Sequence, residues 1–161
     1  MKKIVFILML CIGVFTQAQT NKFVEVYNQF QDKKGVTTIT INKAMFALAG
    51  NFMSKDSDLK DMQGLFNKMN SLKMIMVDNS KGNTDAKNQL KSAFDKLNLE
   101  ELMSINNDGN NVKFLTDNAN AKVFKNVLMK ITGQDQLMYM IMDGEISSDD
   151  MSKMIKKSSK K

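Results

Sequence analysis

The sequence predicts an α+β fold, in which a single domain packs helices on one face of a largely antiparallel sheet ending in a meander and a short terminal helix. Helical apolar spacing alternates with short β-branched runs in the first half, whereas the second half reads as consecutive strands. Asp108 and Gly109, flanked by asparagines, predict a hairpin turn there. No run rich in Pro, Gly or Ser divides the chain, which favours one domain.

Apolar residues at helical spacing predict four helices in the first part of the chain. Phe23, Tyr27 and Phe30 recur four and three residues apart and form the apolar stripe of the first helix, which Gly35 is expected to close. Ala, Met and Leu dominate the second helix, and Asn42 is its expected N-cap. The predicted helices cover residues 22–32, 43–53, 59–69 and 84–97, with Ser57 or Asp58 capping the third and Thr84 the fourth.

β-branched and continuous apolar runs predict the strands. Residues 36–41 are almost wholly β-branched, and residues 72–77 are apolar on both faces, as expected of an interior strand. Residues 143–144 separate the last strand of the meander from a short terminal helix with a Ser147–Asp150 capping box. The predicted meander strands cover residues 102–105, 112–116, 122–131 and 137–142, and the terminal helix carries Met151, Met154 and Ile155.

The first eighteen residues read as a secretory signal. Lys2 and Lys3 precede an apolar stretch at 4–15 and a small-x-small cleavage site that ends at Ala18. The stretch is too short for a spanning helix, which needs roughly twenty residues. Cys11 lies inside it and follows a leucine, which disfavours lipid attachment. We therefore expect an exported protein, periplasmic, outer-membrane-associated or secreted, with a signal peptide at 1–18, one α+β domain at 19–155 and a flexible lysine-rich tail at 156–161.

The formal charge of +6 is concentrated at the two ends of the chain. All 23 basic residues are lysines, and between residues 19 and 150 sixteen lysines face seventeen acids. The expected domain is therefore nearly neutral, which argues against a nucleic-acid partner. The tail at 156–161 could make weak contact with anionic envelope material, although a solvated terminus is the simpler interpretation.

Missing residue types exclude several chemistries. The chain has no His and no Arg, and its single cysteine, Cys11, would leave with the signal peptide. A Ser-His-Asp triad, a Cys nucleophile, a thiol redox centre and a His/Cys zinc site are therefore excluded from the exported chain. Carboxylate chemistry, Ser with Lys, and oxygen or thioether metal sites remain open.

The acidic residues do not form a convincing catalytic or calcium site. Glu100 and Glu101 are adjacent, so in a strand they would point to opposite faces instead of facing each other across a cleft. The spacing of Asp56, Asp58 and Asp61 resembles a calcium loop but lacks its glycine and its final glutamate. Helix capping by Asp58 explains the pattern better.

Methionine is unusually abundant, with 15 residues in the chain. Met138, Met140 and Met142 alternate, so a strand would place all three thioethers on one face, and Met74 and Met76 repeat the arrangement. Thioethers select Cu(I) among metals, but methionine more commonly fills cores and adaptable surfaces. We expect this stripe to pack into the core or against a partner, and we expect no metal site.

Several segments of the chain form a recognisable series. After the signal peptide and the aromatic helix come a Gly35-Val36-x-x-Ile-x-Ile strand that leads into a Lys-Ala-Met-Phe-Ala-Leu helix, a Leu-Lys-Met-Ile-Met-Val strand, and a closing Leu-Met-Tyr-Met-Ile-Met-Asp-Gly-Glu-Ile segment before a short helix. This series resembles a family of small exported Gram-negative proteins known as domain of unknown function four-two-five-two. The resemblance brings no activity or site residues with it.

From the residues we expect a non-catalytic binding or accessory module of the cell envelope, without catalytic residues or a cofactor. The alternatives are a small hydrolase using carboxylates or Ser and Lys, and a Cu(I) binder. Buried, facing carboxylates would favour the hydrolase, whereas a shallow patch lined by methionines would favour the binding module.

Overall fold

The computed structural model describes residues 21–53, 57–78, 81–134 and 136–152. The predicted signal peptide at 1–18, the predicted tail at 156–161 and the predicted helix residues Met154 and Ile155 lie outside them. The helices are α1 (Lys22–Phe30), α2 (Lys43–Met53), α3 (Ser57–Lys68), α4 (Thr84–Asp95) and α5 (148–152). The strands are β1 (Thr37–Asn42), β2 (Met69–Asp78), β3 (Glu100–Asn107), β4 (Asn110–Thr116), β5 (Val123–Thr132) and β6 (Gln136–Ser147).

The strands form one antiparallel sheet in the order β1-β2-β6-β5-β4-β3. β3 to β6 form the predicted meander, and β2 lies between β1 and β6, so its predicted interior position is confirmed. Asp108 and Gly109 join β3 to β4 with φ angles of 46° and 80°. Both residues are left-handed, as a two-residue type I′ hairpin requires, and this explains why the Asp-Gly pair marks the turn in the sequence.

One face of the sheet, here called the helix face, is covered by α1 and α4. The predicted stripe of α1, Phe23, Tyr27 and Phe30, is buried beside Leu90 and Phe94 of α4. These two helices therefore close a core over the middle of the sheet. The sheet contributes Ile75, Val77, Leu128, Leu137, Tyr139 and Ile141 to that core.

The other face of the sheet is covered at one end by α2 and α3. Phe46 of α2 and Leu65 of α3 share a second core with Val127 and Met142. Val127 and Met142 are sequence neighbours of helix-face residues and therefore point to the opposite side. The α+β class and the antiparallel sheet are confirmed, but the helices divide between the two faces instead of sharing one. The physical reason is that both faces of β5 and β6 are apolar and need cover.

Several element boundaries differ from those predicted, among them those at Met69, Gly144 and Gly35. Met69, assigned to the third helix, begins β2 and pairs with Gly144, which lies inside β6 and not in a turn. An added Cβ at Gly144 would lie 2.5 Å from the Lys68 carbonyl oxygen, so the absence of a side chain permits this close crossing. Gly35 does not cap α1, which ends at Phe30.

Local capping signals give mixed results. The Asn42 side chain accepts from the Met45 N–H at 3.1 Å, as predicted for the start of α2. The Ser147–Asp150 capping box is also confirmed, since each residue's N–H donates to the other's side chain, at 2.9 and 3.2 Å. At α4, however, the N-cap position is held by Asn83 and not by Thr84. The structure does not describe the side chains of Ser57 and Asp58, so their predicted capping of α3 stays a prediction.

Candidate binding surface

The sheet face opposite α1 and α4 carries two rows of apolar side chains beyond the part that α2 and α3 cover. In one row Met74 of β2 lies opposite Met140 of β6, which lies opposite Met129 of β5. In the next row Met76, Met138 and Ile131 repeat the arrangement, and Ile39 of β1 extends the first row. Directly opposed residues in a sheet point to the same side. We call these seven residues the methionine face: Ile39, Met74, Met76, Met129, Ile131, Met138 and Met140.

The methionine face is partly exposed to solvent, and its first row continues on β4 into Phe114, which is buried in the second core. Six of its side chains are half-buried, and Ile39 is 43% exposed. Their sequence neighbours on the helix face provide the comparison, since Ile75 and Leu128 have no exposed surface. The same strands are therefore closely covered on the helix face, whereas the described side chains leave the methionine face only partly covered.

The three methionines of the predicted stripe differ in burial. Met142 is 4% exposed and belongs to the second core, whereas Met138 and Met140 are half-buried on the methionine face. The stripe is thus core at one end and surface at the other. Alternation alone identified Met74 and Met76 as sharing a face, but only the strand register shows that Met129 completes their row.

The chemistry of the methionine face is that of an adaptable apolar contact. None of its seven side chains is ionisable, and five are flexible, polarizable thioethers that can adjust to an irregular surface. Contiguous exposed apolar residues of this kind commonly mark interaction sites. The same five thioethers, in two adjacent rows, are also the soft ligands that Cu(I) prefers.

The two glutamates singled out by the sequence, Glu100 and Glu101, bind different partners. The Glu101 carboxylate pairs with Lys113 at 2.6 Å, while the Glu100 carboxylate accepts from the Ala119 N–H at 2.7 Å. Both glutamates are exposed. The side chains of Asp56, Asp58 and Asp61 lie outside the description. Among the described residues, no group of three or more His, Cys, Asp or Glu side chains could hold a metal ion.

Asp150 is the buried carboxylate among the described residues. Burial by itself disfavours its charge, but hydrogen bonds from Lys68 and from the hydroxyl and N–H of Ser147 dominate and lower its pKa to about 2. A glycosidase-type general acid needs the opposite shift, a raised pKa. Asp150 therefore caps α5 and anchors Lys68 of α3.

A cavity of about 400 Å³ lies between the end of α4 and the helix face of β4 and β5. Its two lysines already have partners, since Lys113 pairs with Glu101 at 2.6 Å and Lys130 approaches Asp95 at 3.8 Å. Tyr139 stacks on Phe94 at its inner side, and burial, with a smaller effect of Asp95, raises the pKa of its phenol. The hydroxyl has no hydrogen-bond partner among the described residues and stays protonated. The sequence offered no signal for this cavity.

The comparisons with known proteins give a family. The model of the family described as Domain of unknown function (DUF4252) matches residues 27–154. The chain belongs to this family. No curated protein and no solved structure matches this DUF4252 chain. The matched span includes every strand of the sheet and therefore the whole methionine face. Of the helices that the structure describes, none has the length and apolar character needed to cross a bilayer.

Proposed function

We propose that this DUF4252 protein is a non-catalytic binding module of the cell envelope, and that its methionine face contacts an apolar surface of a partner protein. The observation that carries the proposal is the difference between the two sheet faces, one closed by α1 and α4 and the other left open. Export rests on the signal sequence at 1–18, and the missing His, Arg and mature Cys support a non-catalytic role by excluding the triad, thiol and His/Cys zinc chemistries.

The open face favours binding because exposed apolar surface is costly to leave in water. Covering it would release roughly 25 cal/mol for each square ångström removed from solvent. Each half-buried methionine keeps part of its surface available for that gain. Thioether side chains tolerate imperfect shape matching, so the partner needs an apolar surface more than a complementary charge pattern.

The proposal is tested by affinity capture from a cell-envelope extract, with the mature chain as bait and its Met74→Gln/Met140→Gln variant as comparison. Glutamine keeps the length of methionine but adds an amide that must be desolvated. We expect proteins captured by the parent to be lost with the variant. The matched control is Met45→Gln/Leu48→Gln, because those α2 side chains are 53% and 56% exposed but lie outside the methionine face.

A direct measurement accompanies the capture. The dye ANS, which fluoresces on exposed apolar surface, should bind the parent and the α2 control more strongly than the Met74→Gln/Met140→Gln variant. Identical capture and identical dye binding by all three chains would contradict the proposal.

A Cu(I) site is the second candidate, and the row of Met74, Met140 and Met129 is the observation that favours it. Titration with Cu(I) against a competing chelator distinguishes the two functions. Stoichiometric binding that a triple Met→Leu variant of this row loses would support the copper site. A binding module without metal predicts that the triple variant behaves like the parent. The hydrolase alternative has no comparable observation, because the described residues include no pair of buried carboxylates that face each other.

A further inference from the structure

Within the part of the chain that the structure describes, no strand covers the outer edge of β1. β1 is the first strand of the sheet and pairs in unbroken register with β2 alone. Four of its six residues are exposed, and its sequence TTITIN contains neither charge nor proline. Among the described residues, no backbone hydrogen bond joins residues 37–41 to any segment other than β2. The outward backbone groups of β1 are therefore free to pair with another strand.

The opposite edge of the same sheet is β3, and it carries features that discourage pairing with a further strand. β3 carries Glu100 and Glu101 at its start, and its register with β4 is broken by an irregularity between Glu101 and Met103. Charged side chains and bulges are common devices against edge-to-edge pairing. β1 has neither, although it lies in the same sheet and is also exposed. This asymmetry points to a partner strand at the β1 edge.

We propose that β1 pairs antiparallel with the β1 strand of a second copy of this chain. Antiparallel pairing of identical strands follows a two-fold axis perpendicular to the sheet, and an axis at Thr40 places Ile39 of each copy opposite Ile41 of the other. Thr40 then lies opposite Thr40 of the second copy, and Thr38 lies opposite Asn42 of the second copy. β-branched cross-strand pairs of this kind stabilise sheets, and no like charges are opposed. The β1 sequence is therefore compatible with pairing to the β1 edge of a second copy.

Self-pairing would join the two six-stranded sheets into one. Because the axis is perpendicular to the sheet, both methionine faces would lie on the same side, with Ile39 of each copy at the junction. A partner with two apolar contacts could then bind with the gain in affinity that two linked sites provide. The dimer stands on the β1 edge alone and does not require the proposed function of the methionine face.

The first experiment is cysteine cross-linking of the full chain in a Cys11→Ser background. Thr40→Cys places two thiols directly opposite across the axis, within the separation that a disulfide spans. We expect a disulfide-linked dimer from Thr40→Cys. Val123→Cys is the matched control, because Val123 is 48% exposed but lies in β5, an interior strand of the sheet, where it pairs with Ser147 of β6 and is remote from the β1 edge. Equal cross-linking of the two variants would overturn the proposal.

The second experiment needs no cysteine. Sedimentation of the parent should show a monomer–dimer equilibrium, and Ile39→Lys, which adds an edge charge, should shift it to monomer with unchanged circular dichroism. Met74→Gln/Met140→Gln should still dimerise, which separates this contact from association through the methionine face. Hydrogen exchange on the parent should show amides of residues 37–41 that become protected as concentration rises.

Two outcomes would refute the dimer. One is a monomeric mass at every concentration with β1 amides that exchange equally fast throughout. The other is protection of β1 only when a foreign protein is added, which would assign the edge to a strand of a different partner.

Discussion

The two faces of the sheet are built from the same strands but have different surroundings. On β2, Ile75 points to the helix face with no exposed surface, whereas its neighbour Met74 points to the methionine face and is half-buried. The same contrast separates Leu128 from Met129 on β5. Both faces are apolar in sequence, so strand composition does not decide which becomes core. The position of the covering helices decides it.

The helix face is closed because α1 and α4 each supply a long apolar stripe. Phe94 stacks on Tyr139 with ring centroids 4.1 Å apart, and the hydroxyl of Tyr27 bonds the Thr40 hydroxyl at 2.8 Å. α2 and α3 supply Phe46 and Leu65 to the second core around Met142, and Met129 of the methionine face packs against the same core. The difference between the faces shows that an apolar strand pattern predicts a buried or a binding surface equally well.

The largest expected effect is a test of the two faces on one strand. Ile75→Ala should lower the free energy of unfolding by about 2–5 kcal/mol, because it leaves a cavity in a closed core. Met74→Ala removes a half-buried side chain that the described residues do not enclose, so we expect a smaller loss of about 1 kcal/mol or less. Urea denaturation of both variants measures the difference. Equal losses would show that the methionine face is also closed.

A second prediction concerns the second core, where the start of β2 approaches β6 closely at Gly144. Gly144→Ala should destabilise the fold by about 1–3 kcal/mol or more, since the added methyl group would lie 2.5 Å from the Lys68 carbonyl oxygen and 2.8 Å from the Met69 Cα. Thermal and urea unfolding of the variant provide the measurement.

Gly64→Ala is the control for that substitution. Gly64 lies in α3, and an added Cβ would have no heavy atom within 4 Å. Alanine is the better helix former by about 0.8–1 kcal/mol, so this variant should be slightly more stable than the parent. A Gly144→Ala variant as stable as Gly64→Ala would mean that β2 and β6 can move apart at Gly144.

The smallest expected effect is a pH dependence that arises from Asp150. The pKa of Asp150 is lowered in the folded state to about 2, from an ordinary value of 3.8. Its ion pair with Lys68 therefore contributes stability above about pH 4 that is lost as the pH falls through about 2. A shift of this size corresponds to roughly 2 kcal/mol, reduced by the exposure of Lys68.

Asp150→Asn tests the pH prediction, because asparagine cannot titrate. The difference in unfolding free energy between parent and variant should shrink from pH 5 to pH 2, and comparison with the variant cancels the other carboxylates. Parallel pH profiles for the two chains would show that the Lys68–Asp150 pair does not hold the end of the fold together.

Much of the fold could be predicted because its signals are local. The Asp108–Gly109 turn, the Asn42 cap and the Ser147–Asp150 box each depend on a few neighbouring residues, and each is confirmed. Met69 was misassigned to a helix because apolar spacing continues through it, whereas its pairing with Gly144, far away in the chain, makes it a strand residue. The binding surface was predictable in part, through the alternation of the methionines.

The sequence by itself determined the α+β class, the meander and the chemistries that are excluded. Periodicity and turn residues predict elements from neighbouring positions, and missing residue types exclude the chemistries that need them. Only the tertiary structure decided that Met142 is core while Met140 is surface, that Met129 joins their row and that β1 is an open edge. These properties depend on which helix lies above which strand and on the register between strands. Both are set by contacts between residues distant in sequence, which no local pattern records.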